Sequence, residues 1–227
     1  DATAWLPYSL IASCESEAVP QPTQISPESR VLPSMKNYDG GAVYVGVDVG
    51  RTRDLTVVTI CEMVGDVLWP RAILAMDNIP IPDQVDMIER IIKVNRLQMV
   101  RACVDYTGVG IGVGDGLVKV FGPLMIENIP QNNSSQEIEA MGLLTAMQDK
   151  QIRLPAENQK FRDSLHSVRK EFSATGKPRF VAPKTEDGHA DDFWSFALAV
   201  HAAKTETVGV FRGRAGRPRT FTRAGLY

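Results

Sequence analysis

Apolar, β-branched runs set the rhythm of the middle of this chain. Residues Ala42–Val49 form the first such run, carrying a single charge, Asp48, and predict a strand. Leu55–Met63 predicts a second strand, and the turn Val64-Gly65-Asp66 leads into a third, Val67–Met76. Connections this short favour an antiparallel meander. Asp83–Asn95 then switches to helical spacing, with Val85, Ile88, Ile91 and Ile92 on one face. Met99–Asp105 is too apolar to have a wet face, so it predicts a fourth strand that is central and parallel to its neighbour.

The glycine-rich stretch Gly108–Phe121 ends helically, and Leu124–Ile129 predicts a fifth strand. Ser134 and Glu137 have the spacing of a capping box opening a helix through about Lys150. Phe161, Leu165, Val168 and Phe172 recur at helical spacing and read as a core row. The turn Ala174-Thr175-Gly176-Lys177-Pro178 separates short strands at Glu171–Ser173 and Arg179–Ala182, a basic β-hairpin. A last helix runs from about Asp191 to Lys204. Three antiparallel strands, a helix, then parallel strands with helices predict an α/β chain of ribonuclease H-like order, with a central mixed sheet of five or more strands. Residues 41–205 would hold this domain. Residues 1–40 read as a short helix near Trp5–Ile11 followed by a proline-rich linker (Pro20, Pro22, Pro27, Pro33), and 206–227 as a basic, flexible tail.

Composition adds bounds. At 227 residues, with 44% hydrophobic and 23% charged residues, the chain is long enough for one well-packed domain. Cys14, Cys61 and Cys103 are odd in number and lack Cys-x-x-Cys spacing, which argues for reduced thiols, two of them in buried strands. No apolar run approaches the ~20 residues of a membrane span. Net charge is −2, but basic residues gather locally, at Arg169, Lys170, Lys177, Arg179 and Lys184, and again from Arg212 to Arg223. Such patches are what a phosphate backbone would meet. A start at Asp1 rather than Met is expected of a piece of a longer protein.

The chemistry concentrates at three acidic stations. Asp48 and Asp105 close predicted strands, and Asp191-Asp192 open the last helix after His189. Strand ends are where open α/β sheets place ligands. Packed carboxylates repel, so a converging set calls for a cation, and oxygen donors suit Mg²⁺ or Mn²⁺. Asp54 reads more simply as a turn residue. If the helix begins near His189, Asp192 shares that residue's face and is the favoured ligand, with Asp191 the alternative and His189 assisting. The glycines at 108, 110, 112 and 114 match neither a dinucleotide fingerprint nor a P-loop, and close helix–sheet packing accounts for them better. No Gly-x-Ser-x-Gly elbow supports serine catalysis.

Together, Val45–Asp54, Val104-Asp105-Tyr106-Thr107-Gly108-Val109-Gly110 and Gly188-His189-Ala190-Asp191-Asp192 resemble the nuclease domain of tailed-bacteriophage large terminases, over roughly residues 40–205. The resemblance implies a metal-dependent endonuclease that cuts concatemeric double-stranded viral DNA during packaging, with little sequence preference. It implies Asp48, Asp105 and Asp192 as catalytic acids, two Mg²⁺ or Mn²⁺ ions held by Asp48, Asp105, Asp191 and Asp192, and phosphate contacts from Lys177, Arg179 and Lys184 on or beside a hairpin at Phe172–Pro183. It further implies a portal protein and small terminase subunit as partners, host cytoplasm as the location, and residues 1–40 as the end of an ATPase motor or its linker. Rival readings are a Holliday-junction resolvase or transposase of the same fold, a sugar-kinase or actin-like ATPase, and a non-enzymatic docking module for a packaging machine. Metal-dependent plasmid cleavage and ATP hydrolysis discriminate among them.

Overall fold

A computed structural model describes residues 4–26, 33, 35, 37–50, 55–172, 176, 178–182 and 190–204. In chain order its elements are α1 (Tyr8–Ala12), β1 (Glu15–Ser16), β2 (Thr23–Ile25), β3 (Ala42–Asp48), β4 (Thr56–Val64), β5 (Val67–Met76), α2 (Ile81–Val94) and β6 (Gln98–Asp105). These are followed by α3 (Gly110–Phe121), β7 (Ile126–Ile129), α4 (Asn133–Gln148), β8 (Leu154–Pro155), α5 (Gln159–Ser167), β9 (Arg169–Phe172), β10 (Pro178–Val181) and α6 (Asp191–Lys204).

The central sheet has six strands in the order β2-β5-β4-β3-β6-β7. The expected meander is β3-β4-β5, antiparallel throughout, and β6 lies between β3 and β7, parallel to both. Alternation along the strands divides the core. Val43, Val45 and Val47 of β3 pack with Ala102 and Val104 of β6 on the side of α2 and α3. Cys103 of β6 packs with Leu198 and Ala202 of α6 on the opposite side. By the same parity Asp48 and Asp105 point to the α6 side. Because Val47 is level with Val104, these two acids follow side by side on neighbouring strands.

The sixth strand, β2, comes from the segment expected to be a peripheral linker, and the structure corrects that expectation for residues 4–26. Leu6, Ile11 and Cys14 are fully buried in the core shared with α4, α5 and α6, and β2 pairs in parallel with β5. The Trp5 indole N–H donates to the Ala140 carbonyl at 3.1 Å. The prolines hid this because packing of a short non-repetitive segment leaves no periodic signal. Burying each such apolar side chain stabilises the fold by roughly 1.5–3 kcal/mol.

Two local readings also change. α4 is capped by Asn132, which accepts from the backbone N–H groups of Ser134 and Ser135 and forms the box with Ser135 rather than Ser134 with Glu137. The Phe161–Phe172 row is not one helix: α5 stops at Ser167, Val168 is extended, and Phe172 in β9 is 69% exposed. Strands β9 and β10 form the antiparallel hairpin, with Arg179 opposite Glu171. All three cysteines are buried and free. Among the described residues no helix is long and apolar enough to cross a membrane.

Candidate active site

Helix α6 is seated on β3 through Gly46. A Cβ at position 46 would come within 2.0 Å of the Ser195 carbonyl and 2.4 Å of the Ala199 nitrogen, so only glycine permits this approach. Thr59, level with Gly46 on β4, fixes the same point through a 2.8 Å hydroxyl–hydroxyl bond to Ser195. Asp48 lies two residues beyond Gly46 along the strand, and Asp191 one helical turn before Ser195. Seating the helix at Gly46 therefore carries its first turn towards the end of β3. A second close approach sets the end of β6. A Cβ on Gly110 would meet the Asp105 carbonyl at 2.1 Å, so the glycine-rich start of α3 folds tightly over the strand carrying that acid. Of the glycines expected to serve helix–sheet packing, Gly110 does so, whereas a Cβ on Gly112 would meet Ile81 of α2 at 3.2 Å and Gly108 sits in a turn with φ +61°.

Electrostatics record the convergence. The Asp48 carboxyl is pushed well above the usual carboxylate range, first by burial and then by Asp191, Asp105, Glu139 and Asp192 in that order. Asp48 keeps some solvent contact, while Asp105 and Asp191 are both buried. Among the described residues, no three of these carboxylate oxygens close to within 4.8 Å of one another; the set that does is Cys103, Glu127 and His201. Mutual repulsion accounts for the looser spacing of the acids.

Within the Asp191-Asp192 pair, Asp191 acts more strongly on Asp48 than Asp192 does. Ala190 has φ +62°, a left-handed conformation outside the helical path. The helix starts at Asp191, and Asp191 is the acid that weighs most on Asp48. Asp192, about 100° further round the helix, is raised by burial and opposed by a hydrogen bond from Ser164 and the nearby Lys160 charge, both on α5. Asp191 and Asp192, with Lys160, Phe161 and Ser164, are among the residues lining a cleft of about 630 Å³.

Glu139 is a member that the sequence reading missed. It is 1% exposed in the middle of α4, and burial, with Asp105 and Glu127 adding to it, raises its carboxyl to about 8. The Gln131 amide opposes that rise, donating to both Glu139 oxygens at 3.0 Å, and the Gln131 backbone N–H donates to the Thr107 hydroxyl at 2.9 Å. The Asp-Tyr-Thr-Gly turn after β6 thus positions the residue that holds Glu139. A glutamate inside a helix otherwise rich in polar residues gave no signal of its own.

Of the expected phosphate contacts, Arg179 is exposed and its guanidinium donates to Glu171 at 2.7 Å. Neighbouring Lys170 sits 3.5 Å from Glu137 and over the Trp5 ring. The described cations of the hairpin are therefore more compensated than a basic hairpin implies. Lys177, Lys184, His189, Asp54 and the arginine tail lie outside the described residues.

A family model for the terminase RNase H-like domain matches residues 45–203, and the chain belongs to that family. Solved structures agree on the fold. The cobalt-bound large terminase nuclease of thermophilic phage G20c aligns with TM-score 0.66 at 19% identity, over 88% of this chain and 98% of that one. The nuclease domain of the Thermus phage P74-26 large terminase gives 0.53 at 21% identity, over 70% and 77%. The HK97 bacteriophage large terminase gives 0.58 at 13% identity, over 88% of this chain and 43% of that longer chain. No curated protein matches the chain.

Proposed function

We propose that this chain is a divalent-metal-dependent DNA endonuclease of the terminase type, cutting double-stranded DNA during genome packaging with little sequence preference. The observation that carries the reading is the gathering of Asp48, Asp105, Asp191 and Glu139 from four separate elements, with Asp48 destabilised as a carboxylate first by burial and then by these neighbours. Burying like charges together is costly unless a cation joins them. The donors are all carboxylate oxygens, which fits Mg²⁺ or Mn²⁺, and their wider spacing suits a pair of ions better than one closed shell. Magnesium is bound in a G20c nuclease structure of the same fold, which supports the choice of metal.

Asp48, Asp105 and Asp191 would hold the metal, with Asp192 at its edge. When bound there, divalent ions supply water activation and neutralisation of charge on the phosphate. Ser164 and Lys160 steady Asp192 against the cleft wall, and Gln131 keeps Glu139 turned inward. The cleft volume suits a nucleotide-sized piece of the backbone beside Asp191 and Asp192, the two acids of the set that line it. Lys177, Arg179 and Lys184 would contact phosphates, which position DNA without reading bases. His189 would assist near the first turn of α6. In the packaging assembly within the host cell, the partners would be portal and small terminase subunit.

The test is plasmid nicking by the chain with Mg²⁺ or Mn²⁺, with and without chelator. Cleavage that needs metal and is lost in Asp48→Asn supports the reading; cleavage indifferent to chelator, or none with either metal, overturns it.

A further inference from the structure

We propose that Cys103, Glu127 and His201 form a second cation site, selective for zinc-like ions over Mg²⁺, one strand step beneath the acidic cluster. Cys103 on β6 is level with Glu127 on β7, so their side chains stand together on the α6 face. His201, in the last turn of α6, closes over them. The Cys103 sulfur lies 3.4 Å from Glu127 Oε2, and His201 Nε2 lies 3.9 Å from the same oxygen. All three donor atoms fall within 4.8 Å of one another. Tetrahedral zinc with thiolate and imidazole ligands needs donor separations of about 3.3–3.8 Å, so small side-chain rotations complete the set.

Arg101, two residues before Cys103 on the same strand face, now donates to Glu127 Oε2. It supplies the positive charge that this carboxylate requires, and an entering ion would take over that role while the guanidinium moves to the other carboxylate oxygen. An ion pair alone accounts for Arg101 and Glu127 but not for a buried thiol and an imidazole meeting the same oxygen. The side chains of Glu127 and His201 are 35% and 22% exposed, which leaves an entry path and room for water as fourth ligand. On coordination the thiol gives its proton to solvent. Sulfur and nitrogen donors favour Zn²⁺ or Co²⁺, whereas Mg²⁺ demands oxygen. The site therefore stands independently of the nuclease reading, whose ligands are all carboxylates.

The experiment titrates the metal-free chain with Co²⁺ and follows the near-ultraviolet band of a cobalt–thiolate bond, which oxygen ligands cannot produce. The expected result is a saturable band near one equivalent, displaced by Zn²⁺ but not by excess Mg²⁺, and retained in the double variant Asp48→Asn/Asp105→Asn. Cys103→Ser should abolish it. Absence of the band in the unaltered chain, its displacement by Mg²⁺, or its survival in Cys103→Ser would overturn the proposal. The Zn²⁺ against Mg²⁺ competition uses no variant and tests the ion preference. Should Cys103→Ser fail to fold, His201→Ala should weaken the cobalt titration at least about tenfold, because among the described residues Cys103 is the cysteine grouped with that histidine, and an unchanged titration would overturn the proposal.

Discussion

Along one face of β6, Asp105 and Cys103 sit roughly 7 Å apart and meet opposite electrostatic surroundings. Asp105 looks onto Asp48, Asp191 and Glu139, where each carboxylate makes ionisation harder for another. Cys103 looks onto Glu127, which already has Arg101 and, at 3.9 Å, His201 for company. The same helix covers both stations. The difference teaches that negative charge at the strand end is left for something outside the chain to balance, while two residues below it, Arg101 supplies the balance until an entering ion displaces its guanidinium. Removing charge should consequently cost function and spare stability at the first station, and do neither simply at the second.

The strongest test of that contrast is charge removal at the strand ends. Asp48→Asn and Asp105→Asn should each lower the nicking rate by about 10²-fold or more. In chelator, both variants should melt no lower than the parent chain, because a repulsion has been deleted. Nicking rate and melting temperature read together check this, and near-parent nicking with Mn²⁺ would remove that residue from the site.

Proton linkage gives the next effect. Glu139 titrates near 4.5 when exposed and at about 8 in the fold, so the folded chain retains a proton that the unfolded chain releases. Metal-free stability should fall as pH rises from about 4.5 to about 8, by up to a few kcal/mol. Asp48 adds to the same slope. Glu139→Gln should flatten the slope by removing the Glu139 share and leaving that of Asp48. Thermal melts across that range in chelator, for both chains, provide the measurement.

Asp191 and Asp192 sharpen the comparison within a single helical turn. Asp191→Asn should reduce nicking by about 10²-fold, in line with losing a group that stabilises transition-state charge. Asp192→Asn should cost no more than about tenfold, ~1.4 kcal/mol. Equal losses would mean that both acids serve the metal equally. The smallest expected effect lies at the hairpin. Replacing Lys177 and Arg179 with Ala should flatten the salt dependence of DNA binding by about one log-log unit per lost phosphate contact. Because Glu171 competes for Arg179, that residue's share should be the smaller one.

How much of this was legible depended on which interactions are periodic. The β-branched runs disclosed β3, β4, β5 and β6, and the strand-end acids followed from them. Glu139 was hidden because α4 has no clean apolar stripe: Ile138 is 58% exposed while Glu139 beside it is buried. The order of Asp191 and Asp192 hung on the left-handed backbone at Ala190, a residue type that seldom announces such a turn. The burial of Leu6, Ile11 and Cys14 depends on contacts with residues more than a hundred positions away, which local pattern does not encode. The Cys103, Glu127 and His201 grouping required the register between β6 and β7 as well as the reach of α6.

The seating of α6 on Gly46 also governs which parts can be exchanged between relatives. A strand taken from one homologue and a helix from another will assemble only if position 46 brings no side chain and the helix brings its backbone to the same depth. Any methyl there would lift the helix from the sheet, and the first turn, with Asp191, would rise with it. A graft respecting that seating can vary the neighbouring loops freely, whereas one ignoring it would keep every acid in sequence and carry Asp191 away from Asp48 and Asp105 in space.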